Sequence, residues 1–202
     1  MTASSDKSPK KRDDIRFLFN AVLISLTVMA IFFAFQPYMG ETPNLDEVLK
    51  VERKIVYLEP NDVPQLLKAR HGKPVMLVVY ASWCPYCQKL MPILKDMMLN
   101  RQLDHVSPLF LSMDAQPRVF SKYLVAMGYD KLLPIPYIVD QSPVKRLSMS
   151  MEQTGSSYEG AIPYIGFFDE NGKMLADNVG PMTGEFILKL SKHATSLKIK
   201  QP

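Results

Sequence analysis

The sequence predicts an α/β domain, a central mixed sheet flanked by helices, carried outside the cytoplasm by one N-terminal transmembrane helix. Three observations point there. Phe17 to Phe35 is a run of 19 residues without a charge. Val75 to Tyr80 (VMLVVY) is a continuous apolar, β-rich run, which suits a strand covered on both faces. Strand-like and helix-like segments then alternate along the chain, as βαβ units do. A length of 202 residues allows one ordinary domain with appendages, not two domains that each own a core. With 47% hydrophobic and 22% charged residues, the chain is neither disordered nor collagen-like. Of the net charge of +4, much lies at the start: five of the 24 basic and three of the 20 acidic residues fall in the first 16 positions, leaving 19 against 17. The folded part is near neutral and carries no nucleic-acid footprint.

The first element is the apolar run FLFNAVLISLTVMAIFFAF, which as a helix is about 28 Å long, close to the thickness of a bilayer's hydrocarbon core. Lys7, Lys10, Lys11, Arg12 and Arg16 precede it, whereas Gln36 to Leu49 holds no Lys or Arg. By the positive-inside rule residues 1–16 are cytoplasmic, 17–35 span the membrane, and the rest lies outside the cytoplasm. A cleaved signal peptide is disfavoured by the length of the run and by the lack of an A-x-A-like site after it. A buried helix of a soluble protein is disfavoured by the charge asymmetry. Residues 36–47, with Pro37, Gly40 and Pro43, read as a linker, 48–193 as the folded domain and 194–202 as a polar tail.

Within the domain, Lys54 to Leu58 is a short strand, and Asn61 or Asp62 caps a helix with Pro64 in its first turn that runs to Arg70. His71, Gly72 and Pro74 break it before the buried strand Val75–Tyr80. The next helix starts at Cys84 to Cys87 and has Leu90, Leu94 and Met97 at helical spacing. Leu109 to Met113 is a strand, followed by a helix with Phe120, Tyr123, Leu124 and Met127 on one face and Gly128 as its stop. Ile135 to Val139 is a further strand, pushed toward a sheet edge by Pro134 and Pro136. Ser142 and Pro143 then open a helix with Val144, Leu147 and Met151 inward. After the loop Gly155–Gly160, the segment Ile162–Phe168, the turn Asp169 to Gly172 and Lys173–Asn178 form a hairpin. Thr183 caps a last helix through Phe186, Ile187 and Leu190.

Only two cysteines occur, Cys84 and Cys87, which excludes a disulfide-rich scaffold and a four-cysteine zinc site. A C-x-x-C pair where a helix begins puts the first sulfur beside unpaired backbone N–H groups and the positive helix end, an environment that favours a thiolate. The second sulfur, about one turn on, can displace the first from a mixed disulfide and so release a bound partner. Cys84 is thereby the nucleophile and Cys87 the resolver. A purely structural disulfide would close a loop of roughly four residues and stabilise by only about 2 kcal/mol. Half of a metal site is the other rival, but His71, His105 and His193 are scattered and none pairs with the cysteines; no metal and no cofactor is predicted.

The stretch VVYASWCPYCQKLMPIL, with Trp83 before Cys84 and Pro92 five residues after Cys87, resembles the active-site strand and helix of thioredoxins. AIPYIGFFDENGKMLADNVG, Ala161 to Gly180, resembles their segment in which an Ile-cis-Pro pair precedes a strand, an Asn-Gly turn and a strand ending in Val-Gly. The resemblance spans roughly Lys54 to His193 and implies a thioredoxin-like fold. It implies that Pro163 is a cis-proline packed against the cysteines and that the backbone of Ile162 pairs with an extended substrate segment. Ile135-Pro136 competes for that role but lacks the following Asn-Gly hairpin. Trp83, Pro85 and Tyr86 become substrate-facing residues, with core packing the bland alternative for the two aromatics.

The added strand and helix between Asp114 and Gly160 are similar to a central insertion of membrane-tethered periplasmic thioredoxins of the TlpA, ResA and cytochrome c maturation type. That likeness implies a thiol:disulfide oxidoreductase acting on protein substrates, as a reductase fed by a membrane reductase. Three departures stand out. Val78, six before Cys84, replaces an acidic proton-transfer residue. Pro85-Tyr86 between the cysteines resembles glutaredoxins and some bacterial disulfide isomerases. Ala161-Ile162-Pro163 stands where glutaredoxins carry Thr-Val-Pro. The rival functions are a disulfide oxidase or isomerase, a thioredoxin-fold copper metallochaperone, and a binding module without turnover.

Overall fold

The computed structural model describes residues 20, 22–29, 43–68, 73–133, 135–139 and 144–199. The chain divides into units 1–42 and 43–202. Of the expected span Phe17–Phe35, residues 20 and 22–29 are helical, with Val22, Ile24, Leu26 and Val28 exposed; the remainder lies outside the described residues. No helix among the described residues is long and apolar enough to cross a membrane. The expected breakers His71 and Gly72, Pro134, and the expected helix start Ser142-Pro143 also lie outside them.

The second unit runs α1 (Leu45–Glu52), β1 (Val56–Leu58), a 3-10 turn (Pro60–Asp62), α2 (Val63–Lys68), β2 (Val75–Tyr80), α3 (Pro85–Leu99) and β3 (Ser107–Ser112). It continues through α4 (Pro117–Ala126), β4 (Tyr137–Val139), α5 (Val144–Glu152), β5 (Tyr164–Phe168), β6 (Met174–Val179) and α6 (Gly184–Ile199). The strands form one mixed sheet in the order β1-β4-β3-β2-β5-β6. β2 is its axis. It pairs in parallel with β3, Val75 opposite Ser107 and Tyr80 opposite Ser112, and antiparallel with β5, Val79 opposite Tyr164. Each of its six side chains is at most 1% exposed, as the unbroken apolar run requires. Burying a Val or Leu is worth about 1.5–3 kcal/mol, so this strand anchors the core and fixes where the chain emerges at Ala81.

Three expectations need correction. Residues 36–47, read as linker, give way at Leu45 to helix α1. Asn44 caps it, its side chain accepting from Asp46 N at 2.9 Å, Asp46 and Glu47 complement the positive helix end, and Val48 and Val51 are buried. β4, expected at an edge, lies inside the sheet, parallel to β1 on one side and β3 on the other. The pairing starts at Tyr137, so Pro136 loses no ladder bond by lacking an N–H; its carbonyl accepts from Val56 N at 2.9 Å. Residues 194–199 continue α6 instead of forming a tail, and Ala194 is fully buried.

Elsewhere the local chemistry works as expected. Gly128 ends α4 at φ +67°. Asp169 organises the hairpin turn, its carboxylate accepting from Asn171 N (2.9 Å) and Lys173 N (2.8 Å), with Gly172 at φ +74°. Thr183 caps α6 through its hydroxyl, 3.3 Å from Phe186 N.

Candidate active site

β2 delivers the chain to its C-terminal end, where Ala81, Ser82 and Trp83 turn into α3. Cys84 is the N-cap of that helix: its backbone is extended (φ −83°, ψ 117°) and its sulfur accepts from Cys87 N at 3.3 Å. Pro85 fills the first helical position, where a missing N–H costs nothing. Both cysteines are free thiols. Both are buried, Cys84 at 5% exposure and Cys87 at 0%. Burial first, then the hydrogen bond to the Cys84 sulfur, push the Cys87 thiol from 9.0 up to about 12. Around this opening Trp83 (62%) and Tyr86 (54%) stand exposed, as does Pro85. Lys89 Nζ lies 6.0 Å from the Tyr86 ring centre.

The opposite wall comes from the entry to β5. The Ile162–Pro163 peptide is cis, and the Cys84 thiol donates to the Ile162 carbonyl at 3.9 Å. Pro163 is buried and its carbonyl accepts from Gly180 N at 2.8 Å, which ties the wall to the end of β6. The structure thus brings together residues 78 positions apart, Cys84 and Ile162, because β5 pairs antiparallel with the strand that leads to the cysteines. Val78 is fully buried, and no carboxylate stands at that position.

Sequence reasoning missed the clasp that holds the loop before Cys84. Asp114, only 2% exposed, accepts from Ser82 N (2.9 Å), Ser82 Oγ (2.6 Å) and Ser112 Oγ (2.6 Å). Gln88 Nε2 adds a bond to the Ser82 carbonyl at 2.7 Å. Charge-assisted bonds of this length are strong, so Trp83 and Cys84 leave a fixed platform. Asp114 directly after an apolar strand was a weak signal; its partner lies 32 residues away and is supplied only by the β2–β3 register. Among the described residues no group of three or more His, Cys, Asp or Glu is placed to hold a metal ion. His105 is instead hydrogen-bonded to Ser191 Oγ at 2.9 Å.

Residues 72–173 match the family described as Thioredoxin-like. The chain is 26% identical over 137 residues to the thiol-disulfide oxidoreductase ResA of Oceanobacillus iheyensis, a match that covers 66% of this chain and 69% of that protein. Among solved structures it is similar to StoA from Bacillus subtilis (20% identity, TM-score 0.45, 60% of this chain and 84% of that one). A thiol:disulfide interchange protein of the thioredoxin family from Chlorobium tepidum is also similar (19% identity, TM-score 0.45, 64% and 83%).

Proposed function

The chain belongs to the thioredoxin-like family, and from that premise we propose that it is a membrane-anchored thiol:disulfide oxidoreductase that reduces protein disulfides outside the cytoplasm. One observation carries the reading: the Cys84 sulfur caps a helix and faces the carbonyl of Ile162 at the cis-proline, with Cys87 fully buried one turn on. Cys84 attacks a substrate disulfide; the substrate chain, extended along the main chain of Ile162 and against Trp83, Pro85, Tyr86 and Pro163, is held in a mixed disulfide. Cys87 then attacks the Cys84 sulfur and releases the reduced substrate. The likeness to a protein named thiol-disulfide oxidoreductase supports the reaction class. Anchoring is supported by the uncharged run Phe17–Phe35 with its basic flank, and the reductive direction by the Ile-Pro pair resembling thioredoxin. A membrane reductase supplies the electrons.

Two measurements test this in the full chain. Cys84→Ser abolishes insulin reduction, and Cys87→Ala accumulates mixed disulfides through Cys84; exchange that survives Cys84→Ser overturns the mechanism. Equilibrium titration against glutathione gives a potential near that of thioredoxin, about −270 mV, whereas a value above about −150 mV makes the protein an oxidant or isomerase.

A further inference from the structure

The loop that leads from α5 to Ile162 and the cis-proline is held in one shape by β6. Met174 N donates to the Thr154 carbonyl at 2.8 Å. The Asp177 carboxylate accepts from Ser156 Oγ (3.5 Å), Ser157 N (3.4 Å), Ser157 Oγ (3.2 Å) and Tyr164 Oη (3.2 Å). Between this loop and α5 lies a cavity of about 280 Å³. Met149 and Glu152 form its helical side, and Ser157, Tyr158 and Glu159 the other. Tyr158 is its buried wall: the residue is 2% exposed, its ring centre lies 4.9 Å from that of Tyr164, and its hydroxyl has no hydrogen-bond partner among the described residues.

The cavity is negative. Glu152 and Glu159 are exposed, and the two ion pairs among the described residues lie elsewhere, at Arg101–Asp104 and Arg118–Glu52. Asp177, behind Ser157, adds a third carboxylate that receives neutral donors and no cation. No basic side chain among the described residues lines the cavity. Size and chemistry narrow what it takes. Cavities that enclose a whole small molecule run to roughly 300–1,000 Å³, so this one has room for a single side chain. A metal ion is poorly served, because among the described residues no group of three or more His, Cys, Asp or Glu is placed to hold one. A lysine or arginine side chain fits on both counts, its aliphatic stem along the exposed Met149 and its charged head at the glutamates.

The place matters as much. Glu159 is three residues before Ile162, so its backbone lies within about 11 Å of the carbonyl that accepts from the Cys84 thiol. A substrate strand paired with Ile162 advances by about 3.3 Å per residue, so its residue about three positions from the reacting cysteine draws level with Glu159. We propose that this cavity is a second binding site for the substrate polypeptide, taking a lysine or arginine side chain about three residues from the disulfide cysteine. The inference rests on the reading of the chain as an oxidoreductase of protein disulfides and names the clients it prefers. Because the cavity lies to one side of the cysteine pair, the preference is one-sided.

The test offers the reduced full chain symmetric disulfides of peptides about ten residues long. Each carries one cysteine and, in an otherwise uncharged sequence, one lysine moved through the positions within about four residues on either side. Acid quench and thiol alkylation give the rate at which the Cys84–Cys87 pair is oxidised. Lysine about three positions away on one side raises that rate about fivefold over glutamine at the same place, and 1 M NaCl removes the advantage. Glu152→Gln combined with Glu159→Gln removes it as well, whereas Glu185→Gln on α6 keeps it. Glu159→Lys reverses the order, so that a glutamate peptide outruns the lysine one, a result that damage to the fold does not produce. A lysine advantage that survives the double variant overturns the inference, and so does the absence of any advantage while the glutamine peptides react. If no peptide oxidises the pair, the oxidoreductase reading falls first, and the inference with it.

Discussion

The tetrapeptide Ile-Pro-Tyr-Ile occurs twice, at 135–138 and at 162–165, and each time it leads into a buried strand. At the first site the strand is β4, between two parallel neighbours, and the proline carbonyl accepts from Val56 N. At the second it is β5, between two antiparallel neighbours, and the proline carbonyl accepts from Gly180 N. Only the second peptide bond, Ile162–Pro163, is cis among the described residues, and only there does the isoleucine carbonyl receive the thiol of Cys84. Four identical residues thus serve two ends. What separates them is the strand each finds: β1 and β3 for one, and for the other the strand that runs straight into the cysteines. The lesson is that the site is made by long-range pairing, and the local motif only permits it.

Alkali acts most strongly, and on the second region. Cys87 has its pKa raised from 9.0 to about 12, and burial raises those of Tyr158 and Tyr164 above 10.0. Between the unfolded and folded values the folded chain binds more protons than the unfolded one. The stability these groups contribute is therefore complete below pH 9 and is lost as the pH climbs toward 12, by up to about 1.4 kcal/mol per unit for each group. Melting temperatures of the reduced protein at pH 8, 10 and 11 should fall in that order, and a flat profile would show that these groups are not held protonated by the fold.

Next comes the pair of prolines. Pro163→Ala should lower the rate of insulin reduction by about tenfold through misplacement of the reacting atoms. Pro136→Ala should change it by less than about twofold and show its effect in denaturant midpoint alone. Equal losses of activity would erase the distinction drawn between the two sites.

The smallest effect separates the tyrosines. Tyr164 Oη lies 2.6 Å from Ser156 Oγ and donates to Asp177 at 3.2 Å. Tyr164→Phe should cost about 1–2 kcal/mol in urea unfolding, whereas Tyr137→Phe, which breaks no such network, should cost less than about 0.5 kcal/mol.

Much of this was legible beforehand. The run VMLVVY marked the central strand, the C-P-Y-C spacing marked the start of a helix, and the Asn-Gly turn singled out Pro163 over Pro136, because each of these signals is local and carries its own steric or electrostatic reason. α1 was equally local and was overlooked: Asn44 with Asp46 and Glu47 after it is an N-terminal signature, masked by the prolines at 37 and 43. The interior place of β4 was not legible, since nothing in its residues says which strands will flank them. Nor was the Asp114 clasp, which depends on neighbours that only the β2–β3 register supplies.

The carboxylate that grips Ser82 sits at the end of a different strand from the one it steadies. The protruding indole of Trp83 therefore stands on a bracket bolted to two beams. If the chain reduces protein disulfides as proposed, an incoming polypeptide meets this relief as a fixed surface and must itself adapt, so unfolded or loosely folded clients should be served first.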